Sequence, residues 1–512
     1  MNLPHYATKE VVYNLTITLG VANPNCFGSP QVLVNGISPG PVIRAKENDL
    51  LIINIINNLP KDEFTMHYHG LHQKGTPFYD GVPFMTQLPI PPKQSYQHRI
   101  NLVGQHGSYL YHSHTKTHAL TALGALIIDP KDEEPFKYDE ELILVLSDNL
   151  SASQGPSPPS EGKAKLNKLK NSTVINSNSN MDRECKPTVF SVDPNKVYRL
   201  RLISATTKEY ISFAIAGHVL EVVEVEGFYV KPVKLDKIPI HSGQRYSILI
   251  KTNHSRKTEF NIHAHSLKSN INDNPLIAFA KLSYLSDNIN TSNSNNTTIR
   301  LGEIQPYLRD FAASNLFVPL NPVPLKEATK KFYFRVTHEE KEEEEAPRWY
   351  VNGTTLKMPN FNLLKEAYKN NTHTYDNTNY QLVHLEKDEV IEVTIQNTVD
   401  LAGLCDNHPW HLHGHSFWDL GSGPGTYNPN DDKSLNKIPI LRDTFTFSLN
   451  LPQGNLTPKE DCGWHTIRFV TDNPGLWIFH CHILKHMDYG MIIYFMEGYK
   501  DLPPYPSDIT LI

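Results

Sequence analysis

Histidines spaced two apart recur in four short segments of this 512-residue chain. They are His67 and His69 in MHYHG, His112 and His114 in YHSHT, His411 and His413 in HPWHLHG, and His480 and His482 in HCHILKH. Alternate side chains of a strand share a face, so the two rings of an H-x-H point the same way, about 6.6–6.8 Å apart along the backbone. That spacing suits two neighbouring metals, or two sides of one cluster. Two of the pairs lie near the start of the chain and two near its end. They can converge on a polynuclear site only where an N-terminal and a C-terminal domain meet.

Imidazole suits zinc, copper, iron and nickel, so the paired histidines leave the metal open. A second set narrows it: His408, Cys481, His486 and Met491. Two imidazoles, one thiolate and a weak axial thioether are the ligands of a blue-copper electron-transfer site. A zinc site more often uses several cysteines and no methionine. The C-x4-H-x4-M spacing fits one loop wrapping one ion. If Leu476–Met491 begins as a strand, His480 and His482 face one side and Cys481 the other. One stretch of backbone then joins the two sites.

The elements that must hold these residues read as strands. β-branched and aromatic runs such as LLIINIINN, GALIIDP, KVYRLRLIS, VIEVTIQN and MIIYFME alternate with Gly, Pro, Asn and Asp, and long amphipathic helical windows are scarce. The pattern predicts an all-β protein of several Greek-key sandwich or barrel units. Length suggests about three domains. One boundary follows Asp129-Pro130 and a second lies in the polar stretch from Asn288 to Pro324, giving domains 1–130, 131–325 and 326–512. SASQGPSPPSEGKAKLNKLKN reads as a loop inserted in the middle domain. The acidic run EEKEEEEAP, Glu339 to Pro347, reads as a solvated hairpin tip.

A formal net charge of -6 argues against nucleic acid or an anionic membrane surface as the main partner. No run approaches the ~18 apolar residues of a membrane span, and the N-terminal residues do not read as a signal peptide. Five cysteines leave one thiol over after two disulfides, and Cys481 among its histidines is the candidate. With recurrent N-x-[ST] sequons, from Asn14 to Asn455, the cysteines predict a secreted glycoprotein whose leader is not in this chain.

The four motifs, in this order, resemble the multicopper oxidases: laccases, ascorbate oxidases and related ferroxidases. The likeness spans nearly the whole chain, from PGPVIRAKENDLLIINIINNL to DNPGLWIFHCH. The segments HPWHLHGHSFWDLGSGPGTYNP and CGWHTIRFVTDNPGLW look closest to fungal ascorbate-oxidase-like members. The resemblance implies three consecutive cupredoxin-like Greek-key β-sandwich domains and four copper ions per chain. Type 1 copper would take His408, Cys481 and His486, with Met491 axial. Type 2 copper would take His67 and His411, and the type 3 pair His69, His112, His114, His413, His480 and His482. Electrons taken singly at type 1 would reduce dioxygen to water at the trinuclear cluster. The resemblance also implies disulfides Cys26–Cys185 and Cys405–Cys462. It places Trp349, in APRWYVNGTTLKMP, at a reductant pocket beside His486.

Three departures from the family pattern bear on activity. Tyr68 stands where H-W-H-G is usual. SDNLSAS lacks the aromatic residues that relatives carry after S-D, which weakens an ascorbate assignment. Leu484 replaces a carboxylate that relays protons in many relatives, leaving Asp80 of YDGVPF as the best remaining acid. The expected partners are a small organic reductant and O2, with no membrane anchor, in a monomer or homodimer. A methionine axial ligand implies a low-to-moderate potential and easily oxidised reductants. The alternatives are a ferroxidase serving iron uptake, a broad laccase, and a copper-free cell-wall protein, the last disfavoured by the complete ligand set.

Overall fold

A computed structural model describes residues 8–22, 29–150, 171–175, 187–255, 258–267, 277–284, 316–342, 344–370, 380, 382–430, 435–447 and 456–506. Among these residues the strands form three pairs of facing sheets, in sequence order. The first pair takes strands between Glu10 and Asp129, the second between Glu140 and Tyr284, and the third between Lys330 and Glu497. Each pair repeats one pairing rule. Glu10–Ala22 runs parallel to Leu50–Asn57, Glu140–Leu150 to Val197–Ser204, and Lys330–Glu339 to Val390–Thr398. In the facing sheets, Ile43–Lys46 runs parallel to Leu123–Asp129, Thr188–Val192 to Ile277–Tyr284, and Leu382–Leu385 to Ile492–Glu497. Most other pairs are antiparallel, so each unit closes as a mixed Greek-key sandwich.

Each sandwich fills with its own inward-facing β-branched and aromatic residues, such as Leu51, Ile53 and Ile55 in the first and Ile391, Val393 and Ile395 in the third. A separate apolar cluster joins Phe78, Val82 and Met85 of the first unit to Leu476, Ile478 and Tyr494 of the third. The helix Leu363–Asn370 seals this seam, because the backbone N–H groups of Leu363 and Leu364 donate to the carbonyls of Phe84 and Met85 at 2.8 and 2.9 Å. Burying a large aliphatic or aromatic side chain is worth about 1.5–3 kcal/mol. A seam of this kind therefore holds the two ends of the chain in one register.

Cys405 and Cys462 are bonded, with Cα atoms 6.0 Å apart, and brace the third unit. Cys26 and Cys185 lie outside the described residues, as do the inserted loop 151–170 and most of the polar stretch expected to end the middle domain. The acidic run does fall at the turn between Lys330–Glu339 and Arg348–Val351, where Glu339 pairs with Lys459 and Glu344 with Arg348 and Lys357. No helix among the described residues is long and apolar enough to cross a membrane.

Candidate metal centre

Two cross-strand pairs found the histidine cluster. In the first unit Met66–His69 pairs with Gly107–Ser113, setting His67 opposite His112. In the third, Trp410–Leu412 pairs with Gly475–Cys481, setting His411 opposite His480. Alternation turns Tyr68 into the first unit's core and leaves the flanking histidines on the other face. The two faces meet across the seam: His67 stacks on His413 with ring centroids 3.9 Å apart, and His69 on His411 at 3.6 Å. His114 lies 5.5 Å from His480, and His112 5.2 Å from His482.

Oxygen acceptors fix which ring nitrogen stays bare. Nδ1–H of His67 donates to the Asp80 carbonyl at 2.7 Å, and that of His411 to the Asp443 carbonyl at 2.9 Å. His112 and His480 donate to the carbonyls of Ser113 and Cys481 at 3.0 and 2.9 Å. His413 donates to Oδ2 of Asp80 at 2.8 Å. A carbonyl or carboxylate can only accept, so in all five rings the Nε2 lone pair is left to face inward. Nε2 of His67, His112 and His411 is buried with no hydrogen-bond partner. Orphaned buried nitrogens are costly unless something binds them. Nδ1 of His69 and Nε2 of His482 stand 3.0 Å apart, and Nε2 of His413 and of His480 3.2 Å apart.

Burial, and then repulsion among the rings, pushes His114, His413, His480 and His482 well below the usual imidazole range. They stay neutral, the form that binds a metal. Ligand nitrogens of His67, His69 and His112, of His67, His411 and His413, and of His114, His413 and His480 each fall within 4.8 Å of one another. The donor set fits a polynuclear copper site.

Cys481 turns to the opposite face, into the apolar core of the third unit with Trp349 and Met491, and lies outside any disulfide. Its Sγ stands 3.8 Å from His408 Nδ1 and 3.7 Å from His486 Nδ1, and the two nitrogens are 3.1 Å apart. After the strand, the chain makes one helical turn, Leu484–Asp488, where sequence spacing suggests a plain loop. It then returns so that the Cys481 N–H donates to the Met491 carbonyl at 3.1 Å. Gly490 permits that return: at φ +105 a Cβ would lie 2.6 Å from the Trp349 carbonyl and 2.2 Å from Thr355 Oγ1. The thiol, one imidazole and a fully buried methionine from one loop, with the His408 imidazole from another, fit a mononuclear copper.

Trp349 lies against this site but is not presented to solvent. It is 4% exposed, with one face stacked on His338 at 4.5 Å and its edges 4.9 and 5.0 Å from His408 and His486. His486 is partly exposed and offers the open edge. Asp80 is fully buried and grips two rings of the cluster, through its carbonyl and its carboxylate.

Sequence reasoning passes over the middle unit's contribution. Arg245 forms a buried two-pronged ion pair with Asp443 at 2.7 and 2.6 Å, and Asp443 Oδ1 accepts from His69 Nε2 at 3.1 Å. Burial would raise the Asp443 carboxyl, yet the Arg245 guanidinium holds it well below the usual range. Glu226 adds Arg442 at 2.9 Å and the backbone N–H groups of Asp443 and Thr444. Gly243, at φ +82, brings the middle unit's backbone against the cluster, where a Cβ would sit 2.5 Å from His69. Arg442 and Asp443 are adjacent in LRDTF, but nothing local tells them from an ordinary surface pair.

Family profiles described as multicopper oxidase match residues 16–133, 148–286 and 352–501. Multicopper oxidase aurL2 of Gibberella zeae is 31% identical, over 96% of this chain and 89% of its own length. An L-ascorbate oxidase of Cucurbita pepo var. melopepo is 30% identical, over 94% of each. In fold, the chain superposes on the crystal structure of Fet3p, a multicopper oxidase that functions in iron import, with a TM-score of 0.82, 24% identity and coverage of 97% and 93%. With the cupredoxin-like sandwiches, the two donor sets and these matches together, the chain belongs to the multicopper oxidases.

Proposed function

We propose that this oxidase is a secreted enzyme that couples one-electron oxidation of four equivalents of a small organic reductant to reduction of O2 to water. Four copper ions per chain are assigned. His408, Cys481 and His486, with Met491 axial, would hold type 1; His67 and His411 would hold type 2; His69, His112, His114, His413, His480 and His482 would hold the type 3 pair. Bound copper supplies one-electron acceptance beside Cys481 and four-electron chemistry at the histidine cluster. The observation that carries this reading is Cys481 itself, whose thiol lies in one donor set while its backbone neighbours His480 and His482 lie in the other.

The chain's own groups divide the remaining work. His486 offers the partly exposed edge where a reductant docks, and Trp349 holds the His486 and His408 rings in place. Asp80 and Asp443 orient cluster histidines, and Asp80 is the carboxylate assigned to proton handling in the absence of an acid at Leu484. The Cys405–Cys462 bond and the sequons support secretion. The direct test measures oxygen consumption side by side with ascorbate, a methoxyphenol and ferrous iron. The reading expects turnover of an organic reductant; oxidation of iron alone would replace it with the ferroxidase alternative.

A further inference from the structure

The approach to His486 is built partly by the middle unit. Asp148, buried near the end of strand Glu140–Leu150, accepts from the backbone N–H groups of Thr207, Lys208 and Glu209 at 2.8, 2.8 and 3.3 Å and from the Thr207 hydroxyl at 3.4 Å. A carboxylate holding three successive N–H groups fixes the path of that loop. The loop docks on the turn that carries His486, where the Leu484 N–H donates to the Thr207 carbonyl at 3.0 Å. That bond joins the residues immediately before Lys208 and Lys485, so the two exposed lysines share the rim beside His486. Among the described residues neither lysine forms an ion pair.

Against the two lysines, the turn itself carries one carboxylate, Asp488. Arg348 lies over the Tyr489 ring at 5.6 Å, and its partner Glu344 also pairs with Lys357. Asp488 closes the turn at its far end. Trp349, covered by His338, leaves little ring for a reductant to stack on. What the rim offers beside His486 is clustered positive charge. Such a rim raises the local concentration of anions and repels cations.

Resting on the assignment of His486 as the electron-accepting edge, we propose that Lys208 and Lys485 select an organic anion, an enediolate or a carboxylate-bearing phenol, over neutral phenols and ferrous iron. The test compares a methoxyphenol carrying a side-chain carboxylate with its own methyl ester, and adds ascorbate as the enediolate arm. At low salt the wild-type enzyme should prefer acid to ester by about fivefold or more in kcat/KM. The ratio should shrink at physiological salt, where the screening length is about 8 Å. In K208E/K485E it should fall to about one or below, with K208Q/K485Q between. K231E/K234E, which makes the same charge change at two exposed positions of the strand Phe228–Leu235 in the middle unit, should keep the wild-type ratio. A ratio near one in the wild type, or one unmoved in K208E/K485E, overturns the selection while oxidation of both compounds leaves the electron-accepting assignment standing. Failure to oxidise either compound or ascorbate overturns both. The two anion arms show whether enediolate or carboxylate is taken.

Discussion

The Cys481 site and the histidine cluster are supplied by the chain in different ways. All the donors of the Cys481 site belong to the third sandwich, within a single apolar core, and one of its rings reaches the surface. The cluster draws histidines from the first and third sandwiches, is buried apart from a half-buried His482, and is pinned by Arg245 and Glu226 of the second. A site that collects electrons from outside needs an open edge and only local support. On the proposed function, the cluster would hold O2 until the fourth electron arrives, a task that needs walls, and three sandwiches supply them. Two short covalent joins link the two: the end of the strand Gly475–Cys481 with the residue after it, and the run from His408 to His413.

That contrast is broken most severely at the join. Cys481→Ser should abolish the blue absorption band and lower oxidase activity at least about a thousandfold, with circular dichroism unchanged; normal turnover by the variant would place electron uptake elsewhere. Asp443→Asn, next in size, strips the partner from the buried Arg245. It should cost about 3–5 kcal/mol in denaturant unfolding and lower copper affinity at the cluster about 10–100-fold, while the blue band persists. Loss of the blue band together with the cluster's copper would show that the two are not independently supported.

A third effect concerns the copper-free protein. Burial, and then neighbouring charges, lowers His72 to about 4 and His98 and His112 to about 3. In the unfolded chain each takes up a proton near pH 6.5, so below that pH the unfolded state binds more protons than the folded one. Stability contributed by these rings is complete above about pH 7 and is lost as pH falls toward the folded values. Each should remove about 2 kcal/mol between about pH 7 and 5, read as a drop in the urea midpoint; a flat profile would mean these rings are open to water. The smallest effect is expected of Trp349→Phe. It should cost about 1–2 kcal/mol and shift the blue band slightly, leaving the copper content of the histidine cluster unchanged.

Much of this architecture is legible in the sequence because it is local. Period-two alternation announces the strands and puts His67 and His69, or His480 and His482, on one face. The spacing of Cys481, His486 and Met491 announces one loop. What escapes is non-local. Arg245 and Asp443 are 198 residues apart, and the Asp148 clamp on Thr207 reaches across 59. The burial of Trp349 follows from a cross-strand register, His338 opposite Trp349, that composition cannot rank. The turn Leu484–Asp488 has five residues, too few to show a helical period.

Copper content per chain, compared between the wild-type protein and Cys481→Ser, tests the two-site account most directly. The account predicts four copper ions in the wild type and three in the variant, because the cluster does not draw on the Cys481 thiol. A variant that keeps all its copper, or one that loses all of it, would contradict the separation of an electron-collecting site from a three-domain cluster.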